Sequence, residues 1–216
     1  RLAIFDLNDR SNQPMQSLCS RYILVFNGSI YNYKSLRKHL IDNDVKLKTY
    51  SDTEVILELF ALEGPQMVSK LKGMFAFVIW DCKKKEAFAA RDPYGIKPLF
   101  IGTNSEGIIL ASQVKTLLLT KQISTERDIN SQFSFWNLGY IIEPRTWFKN
   151  IKALKSGYYV RIKDGKIISE MQWYDLSKNW ISADKNKQRI SKKECNKIIK
   201  NSLTSSVKKH LVSDVP

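Results

Sequence analysis

Residues 74–99 read MFAFVIWDCKKKEAFAARDPYGIKPL, and this stretch decides the fold. Two apolar runs, Met74–Trp80 and Ala87–Ala90, stand on either side of a charged turn. Runs without polar alternation are typical of strands that are buried on both faces. We therefore predict two neighbouring strands inside a layered structure, followed by a loop over residues 91–98 that leads into another strand.

Other short apolar runs, most of them bounded by Gly, Pro, Asn or Asp, predict further strands. These are residues 2–5, 22–26, 99–101 and 107–110, with a late hairpin of residues 158–162 and 166–168 around Asp164-Gly165. Helical spacing predicts helices over Tyr33–Asp42 and Asp52–Leu62, the second with Ser51 or Asp52 as its N-cap. Strands in runs with few interposed helices indicate an α+β fold rather than a βαβ repeat.

The end of the chain has a different composition. Residues 177–190 are polar and rich in lysine, which predicts a linker. From Ser191 onward, apolar residues recur at helical spacing and predict one amphipathic helix. They are Cys195, Ile198, Ile199, Leu203, Val207 and Leu211. We therefore divide the chain into a domain of residues 1–176, a linker of residues 177–190 and the start of a second domain in residues 191–216.

The net charge of +14 lies mainly at this end of the chain. Residues 145–216 hold 17 basic and 6 acidic side chains, whereas residues 1–144 hold 18 and 15. A basic patch can bind phosphates, but no nucleic-acid-binding motif accompanies this one, so a solvated lysine-rich surface is favoured and no nucleic-acid partner is expected. Apolar runs are all shorter than the ~20 residues of a membrane span, and the three scattered cysteines fit neither a disulfide framework nor a zinc site. We expect a cytoplasmic protein with no membrane partner.

Polar residues beside the predicted strands and helices are the candidates for function. Asn27-Gly28 is a common tight-turn dipeptide, but an Asn amide and a Gly N–H can also stabilise an oxyanion. Asp52 either belongs to a capped helix start or binds a ligand ammonium group. Arg1 either lies at the surface or binds a substrate carboxylate. The adjacent charges in Arg91-Asp92 are interpreted as a structural ion pair.

Taken together and in order, these motifs resemble the class II, or N-terminal-nucleophile, glutamine amidotransferase domain. The segments are RLAIFDL (1–7), FNGSIYNY (26–33), SDTEVIL (51–57), LKGMFAFVIWD (71–81) and ARDPYGIKPLF (90–100). Two others, LGYIIEPRTWFKNIKALKSGYYV (138–160) and VKKHLVSDVP (207–216), resemble the glutamine-hydrolysing asparagine synthetases in particular.

The resemblance implies a four-layer αββα sandwich, incomplete at its N-terminus, plus the first helix of an α/β synthetase domain of ATP-pyrophosphatase type. It implies that Arg1 binds the α-carboxylate of L-glutamine, that Asp52 binds its α-ammonium group, and that Asn27 and Gly28 form the oxyanion hole. The nucleophile is expected to be an N-terminal cysteine upstream of Arg1, with its own α-amine as general base. This chain alone is therefore expected to be inactive.

The same resemblance implies the overall reaction. Ammonia released from glutamine passes to a synthetase domain, where ATP activates L-aspartate and ammonia captures the acyl-adenylate to give asparagine. ATP and Mg²⁺ are expected beyond Pro216, and no cofactor or metal is expected in the glutaminase domain. A homodimer is one possible assembly of the complete protein.

Two residues depart from the family's pattern. Ser29 stands where the subfamily usually has a glutamate that assists ammonium binding. We expect the missing charge to weaken glutamine binding by ~1–2 kcal/mol. Gln113 likewise replaces a usual glutamate. Both keep an alternative open: a structural or docking domain without glutaminase activity, in a related synthetase that amidates another carboxylate such as a sugar acid.

Overall fold

The computed structural model describes residues 9–185 and 190–211. Its helices α1–α6 are Tyr33–Asp42, Asp52–Glu63, Val114–Leu119, Ile129–Leu138, Leu176–Lys185 and Lys192–His210. Its strands β1–β9 are Met15–Gln16, Tyr22–Ile30, Gly73–Asp81, Glu86–Arg91, Phe100–Thr103, Ile108–Ala111, Ile151–Ala153, Tyr158–Lys163 and Lys166–Gln172. Every predicted strand and helix within the described residues is present, and the predicted strand over residues 2–5 lies outside them.

The strands form two antiparallel sheets. The larger has the order β1-β2-β3-β4-β8-β9, and the smaller has the order β6-β5-β7. In the larger sheet β2 pairs with β3 along its whole length, from Tyr22 opposite Asp81 to Ile30 opposite Gly73. The β8–β9 turn has positive φ at both Asp164 and Gly165, +48° and +70°, the conformation that a two-residue hairpin requires.

Side-chain alternation along β3 and β4 separates two cores. Large aromatic side chains, among them Phe75, Phe77 and Phe88, point to one face of the large sheet and pack with α1 and α2. Small side chains such as Ala76 and Ala89 point to the other face and pack against the second sheet. Because both faces of these strands are covered, their sequences show no polar alternation, as predicted.

A third core closes the molecule on the far side of the small sheet. Phe100 and Ile109 point outward from β5 and β6 and pack with Leu117 of α3, whereas Ile101 and Leu110 point inward to the larger sheet. The order of layers is therefore helices α1 and α2, large sheet, small sheet and a helical layer that contains α3. This confirms the α+β, four-layer αββα prediction.

The C-terminal segment differs in part from the expectation. The predicted linker contains helix α5, and none of its residues is buried. Helix α6 begins as predicted after Ser191, which forms a capping box with Glu194. Its predicted apolar stripe is present but exposed; Leu203, for example, is 62% exposed. The division into two domains and a linker stays a prediction.

Candidate active site

Asn27 and Gly28 lie inside β2, so the turn interpretation of this dipeptide is wrong. They pair with Ala76 and Phe75 of β3, and β2 continues three residues beyond Asn27, to Ile30. Gly28 has φ +153°, and a Cβ atom there would lie 2.1 Å from the carbonyl oxygen of Met74. Only glycine fits this backbone, and local sequence carries no signal that separates it from a turn glycine.

Asn27 borders a small cavity between the two sheets. The cavity has a volume of about 190 Å³, and Ala76, Leu99 and Ser112 also line it. Its walls come from both sheets, so no single segment of sequence could reveal it. The cavity adjoins Asn27 and is smaller than the roughly 300–1,000 Å³ that is typical of ligand pockets.

Asp52 lies at the first turn of α2 and reaches the end of β2. Ser51 is the N-cap and accepts a hydrogen bond from the Thr53 N–H, so the Ser51 alternative of the N-cap prediction is correct. Asp52 is 4% exposed, and the Oδ2 atom of its carboxylate accepts a hydrogen bond of 3.0 Å from the Ile30 N–H. This contact brings Asp52 to the Asn27–Ile30 segment, which also contains the buried Ser29. Four of the five predicted site residues thus lie in one region.

The fifth predicted site residue is Arg1, and Gln113 is the second departure from the family's pattern. Arg1 lies outside the described residues. Gln113 is exposed at the N-cap position of α3, where its side chain makes no capping hydrogen bond. Among the residues that the structure describes, no three His, Cys, Asp or Glu side chains group as metal ligands. Within residues 9–185 and 190–211 no helix has both the length and the apolar character to span a membrane.

Glu54 is a buried carboxylate in the first turn of α2, two residues after Asp52, and it was not among the predicted site residues. It accepts hydrogen bonds from the Lys48 and Thr49 N–H groups, both at 2.7 Å, and from the Thr49 hydroxyl at 2.8 Å. The carboxylate therefore anchors the loop that leads into α2. It stabilises the position from which Asp52 projects.

Arg91 and Asp92 have separate partners, contrary to the ion pair predicted between them. The Arg91 guanidinium, 3% exposed, pairs with Glu143 at 2.9 Å and also donates to carbonyl oxygens of the 95–97 loop and of Leu154. Adjacent residues at a strand end point in different directions, so one side chain cannot neutralise the other. Glu143 is 52 residues away in sequence, and its role was not predictable from local pattern.

The Asp92 carboxylate binds only backbone in the contacts resolved around it. Oδ1 accepts from the Tyr94 and Ile96 N–H groups, both at 3.0 Å, and Oδ2 accepts from Lys97 at 2.9 Å and Phe75 at 3.2 Å. Phe75 is the residue paired with Gly28 across β2 and β3. Asp92 therefore holds Phe75 from the edge of β3 that faces away from β2, and Gly28 packs against the opposite edge of β3.

This geometry agrees with a match to a known family. A family model described as "Glutamine amidotransferase domain" matches residues 1–174. The chain belongs to the glutamine amidotransferase domain family. The family prediction from the sequence motifs is thereby confirmed.

Several asparagine synthetases contain an amidotransferase domain similar to this one. Asparagine synthetase [glutamine-hydrolyzing] 1 of Bacillus subtilis is 32% identical over 217 residues, which is 100% of this chain and 33% of that protein. Asparagine synthetase B [glutamine-hydrolyzing] of Escherichia coli is also 32% identical, over 100% of this chain and 32% of its own length. The chain thus spans about one third of the curated relatives that it matches.

The amidotransferase fold is also similar to a solved structure. Glutamine phosphoribosylpyrophosphate amidotransferase from B. subtilis, complexed with ADP and GMP, matches with a TM-score of 0.53 and 22% identity. The match covers 77% of this chain and 33% of that chain. At this identity the likeness concerns the fold, and it agrees with the αββα layers.

Proposed function

We propose that this domain releases ammonia from L-glutamine and supplies it to an asparagine-synthetase-type ligase that consumes ATP. The observation that carries the proposal is the contact between the Asp52 carboxylate and the Ile30 N–H, 3.0 Å. It places a buried acidic group at the end of the strand that contains Asn27 and Gly28. The homologous asparagine synthetases support the choice of ligase.

In this proposal Asn27 and Gly28 stabilise the tetrahedral intermediate. The Asn27 side-chain amide and the Gly28 N–H are the kinds of donor that an oxyanion requires, and the pairing of β2 with β3 fixes the backbone that carries them. Because these donors are preorganised, little reorganisation is needed when the negative charge develops on the glutamine carbonyl oxygen.

Asp52 and Arg1 are proposed to bind the two α-groups of glutamine. Asp52 is 4% exposed, and a buried carboxylate binds an ammonium group more strongly than an exposed one, since water competes less. Arg1 is proposed to bind the α-carboxylate. Ser29 is proposed to offer a hydroxyl acceptor to the ammonium group, at the position where the asparagine synthetase subfamily usually has a charged glutamate. This arrangement recognises an α-amino acid by both of its charges.

The nucleophile is proposed to come from a residue outside this chain, because the three cysteines present are badly placed. Cys82 follows β3, at the Tyr22 end of β2, which is roughly 20 Å along the strand from Gly28. Cys19 lies just before the same end of β2. Cys195 is in the first turn of α6. Cys82 and Cys19 are therefore remote from the proposed oxyanion hole, at the opposite end of β2.

The chemistry can be tested on the complete protein. Glutamate release from glutamine, measured with and without a thiol alkylator, should be present and then abolished. ATP-dependent asparagine formation from free ammonia should survive alkylation. Ligation from ammonia without any glutamate release would instead support a structural or docking domain, and product formation from a different carboxylate would identify another acceptor.

ATP and Mg²⁺ are proposed to bind in the part of the protein beyond this chain.

Asp52→Asn tests the residue that carries the proposal. The variant keeps an oxygen that can accept from Ile30 but lacks the charge, so the KM for glutamine should rise about 10- to 100-fold. Ammonia-dependent synthesis should remain within about twofold of wild type. Asp42→Asn, at the exposed end of α1, is the matched control. An equal loss of both activities in Asp52→Asn would contradict the binding role.

A further inference from the structure

The last turn of α6 contacts the segment that follows the proposed oxyanion hole. The Tyr31 hydroxyl lies 2.8 Å from Nε2 of His210, although the two residues are 179 positions apart. Their rings also pack, with centroids 4.7 Å apart and an interplanar angle of 49°. This is a polar contact and a ring contact between the same two side chains.

The second ring nitrogen of His210 determines the direction of the hydrogen bond. Nδ1 lies 2.9 Å from the carbonyl oxygen of Ser206, one turn earlier in α6. A carbonyl oxygen only accepts, so Nδ1 carries a proton, and in the tautomer with that single ring proton Nε2 is the acceptor. In that tautomer Tyr31 donates to His210. Burial, together with the negative charge of Asp92, raises the pKa of Tyr31 and keeps this donor protonated.

The backbone around Tyr31 is held on both sides. The Ile30 N–H binds Asp52, and the Tyr31 N–H donates to the carbonyl oxygen of Lys72 at 2.8 Å. The Asn32 side chain accepts from the Lys72 N–H and donates to the carbonyl oxygen of Lys70. Tyr31 is therefore part of an ordered segment that is continuous with the Asp52 contact, not of a loose loop.

We propose that the Tyr31–His210 contact couples α6 to the glutamine site, so that occupation of the site and docking of α6 stabilise each other. Tyr31 is a positioning residue in this proposal, since it touches His210 and is adjacent to Ile30, the residue that Asp52 holds. Thermodynamic linkage requires the coupling to be reciprocal: a ligand that favours the docked helix binds more tightly when the helix is docked. The inference rests on the proposed function, because it takes Asp52 as part of a glutamine site.

Binding of L-glutamate to the complete protein tests the coupling. Glutamate carries both α-groups of glutamine and is not hydrolysed, so calorimetry measures affinity without turnover. Tyr31→Phe removes the donor, and His210→Leu removes the acceptor. Each should weaken glutamate binding on the order of fivefold, the ratio that corresponds to one neutral hydrogen bond. The double variant should be no weaker than either single variant, because both remove the same contact.

A conservative replacement and a control complete the test. In His210→Gln the side-chain oxygen can take the place of Nε2 as acceptor, so affinity should return to within about twofold of wild type. Tyr140→Phe, which removes the hydroxyl of an exposed tyrosine, should leave it unchanged. Weakening by Tyr31→Phe without weakening by His210→Leu would overturn the coupling to α6, as would wild-type affinity in both. Failure of the wild-type protein to bind glutamate at all would overturn the proposed function as well.

Discussion

At the scale of single residues, Gly28 is constrained by both its torsion angle and its surroundings. Its φ of +153° is rare for residues with a Cβ, and the atom that a Cβ would meet, the Met74 carbonyl oxygen at 2.1 Å, belongs to the paired strand. The strands would have to separate to admit a methyl group. The glycine therefore serves the sheet as well as the proposed oxyanion hole.

Gly28→Ala is expected to lower the free energy of unfolding by about 3–5 kcal/mol, from backbone strain and overpacking together. Gly139→Ala is the matched control, because Gly139 also has a positive φ, +78°, but nothing lies within 4 Å of its missing Cβ. That variant should cost about 1–2 kcal/mol. Urea denaturation of both proteins measures the difference, and equal losses would show that the clash with Met74 is relieved without cost.

The Arg21–Asp81 pair gives a pH-dependent contribution to stability. A hydrogen bond from Arg21 holds the pKa of Asp81 at about 2, below its ordinary value of 3.8. A lowered pKa in the folded state means that the contribution is complete above the unfolded value and is lost as pH falls through about 2. Asp81→Asn keeps the oxygen Oδ1, which accepts from the backbone N–H groups of Lys83 and Lys84, but it loses the negative charge.

Asp81→Asn should therefore lower the free energy of unfolding by about 1 kcal/mol at pH 7, with the difference shrinking towards zero near pH 2. Denaturant titrations at several pH values measure this difference. Glu126→Gln, which removes an exposed partner of Lys149, should change stability little at any pH. A deficit in Asp81→Asn that stays constant from pH 5 to pH 2 would exclude the charge as its cause.

At the scale of elements, one carboxylate organises the loop between β4 and β5. The four backbone N–H groups bound by Asp92 come from Phe75, Tyr94, Ile96 and Lys97. Asp92 is fully buried, so burying its carboxylate without these donors would be costly in free energy. The motif RDPYGIKP was recognisable in the sequence, but the backbone partners of its Asp92 carboxylate were not. One of the four N–H groups belongs to Phe75, on another strand, and only the tertiary structure brings it to Asp92.

Asp92→Asn turns one of the two acceptor oxygens into a donor facing N–H groups. We expect a loss of about 2–4 kcal/mol in the free energy of unfolding, measured by thermal or urea denaturation. Asp164→Asn, at an exposed hairpin position with positive φ that asparagine tolerates, should stay within about 0.5 kcal/mol of wild type. Similar stability of the two variants would refute the role assigned to Asp92.

At the scale of the whole molecule, side-chain size sets the spacing of the layers. Phe75, Phe77 and Phe88 fill the space beneath α1 and α2, whereas Ala76 and Ala89 allow the second sheet to approach closely. The division between large and small faces is readable from the alternation in residues 74–90. What lies against each face is not readable there.

Ala89→Leu tests the close approach of the sheets, because Ala89 is fully buried in the core between them. Three additional carbon atoms should cost about 1–3 kcal/mol through overpacking. Ala183→Leu, on the exposed surface of α5, should be nearly neutral. Calorimetric unfolding compares the two, and an equally stable Ala89→Leu would mean that the inter-sheet space is larger than the packing indicates.

The sequence by itself determined the family, the positions of the main strands and helices, and the α+β class. These follow from local causes: periodicity, caps and turn residues act over a few positions, and motif order identifies relatives. Tertiary structure alone decided that Asn27-Gly28 continues a strand, that Arg91 pairs with Glu143, and that Asp52 holds Ile30. It also placed His210 against Tyr31. The reason is physical, since each of these depends on which surfaces the packed layers bring together, and residues far apart in sequence supply the partners.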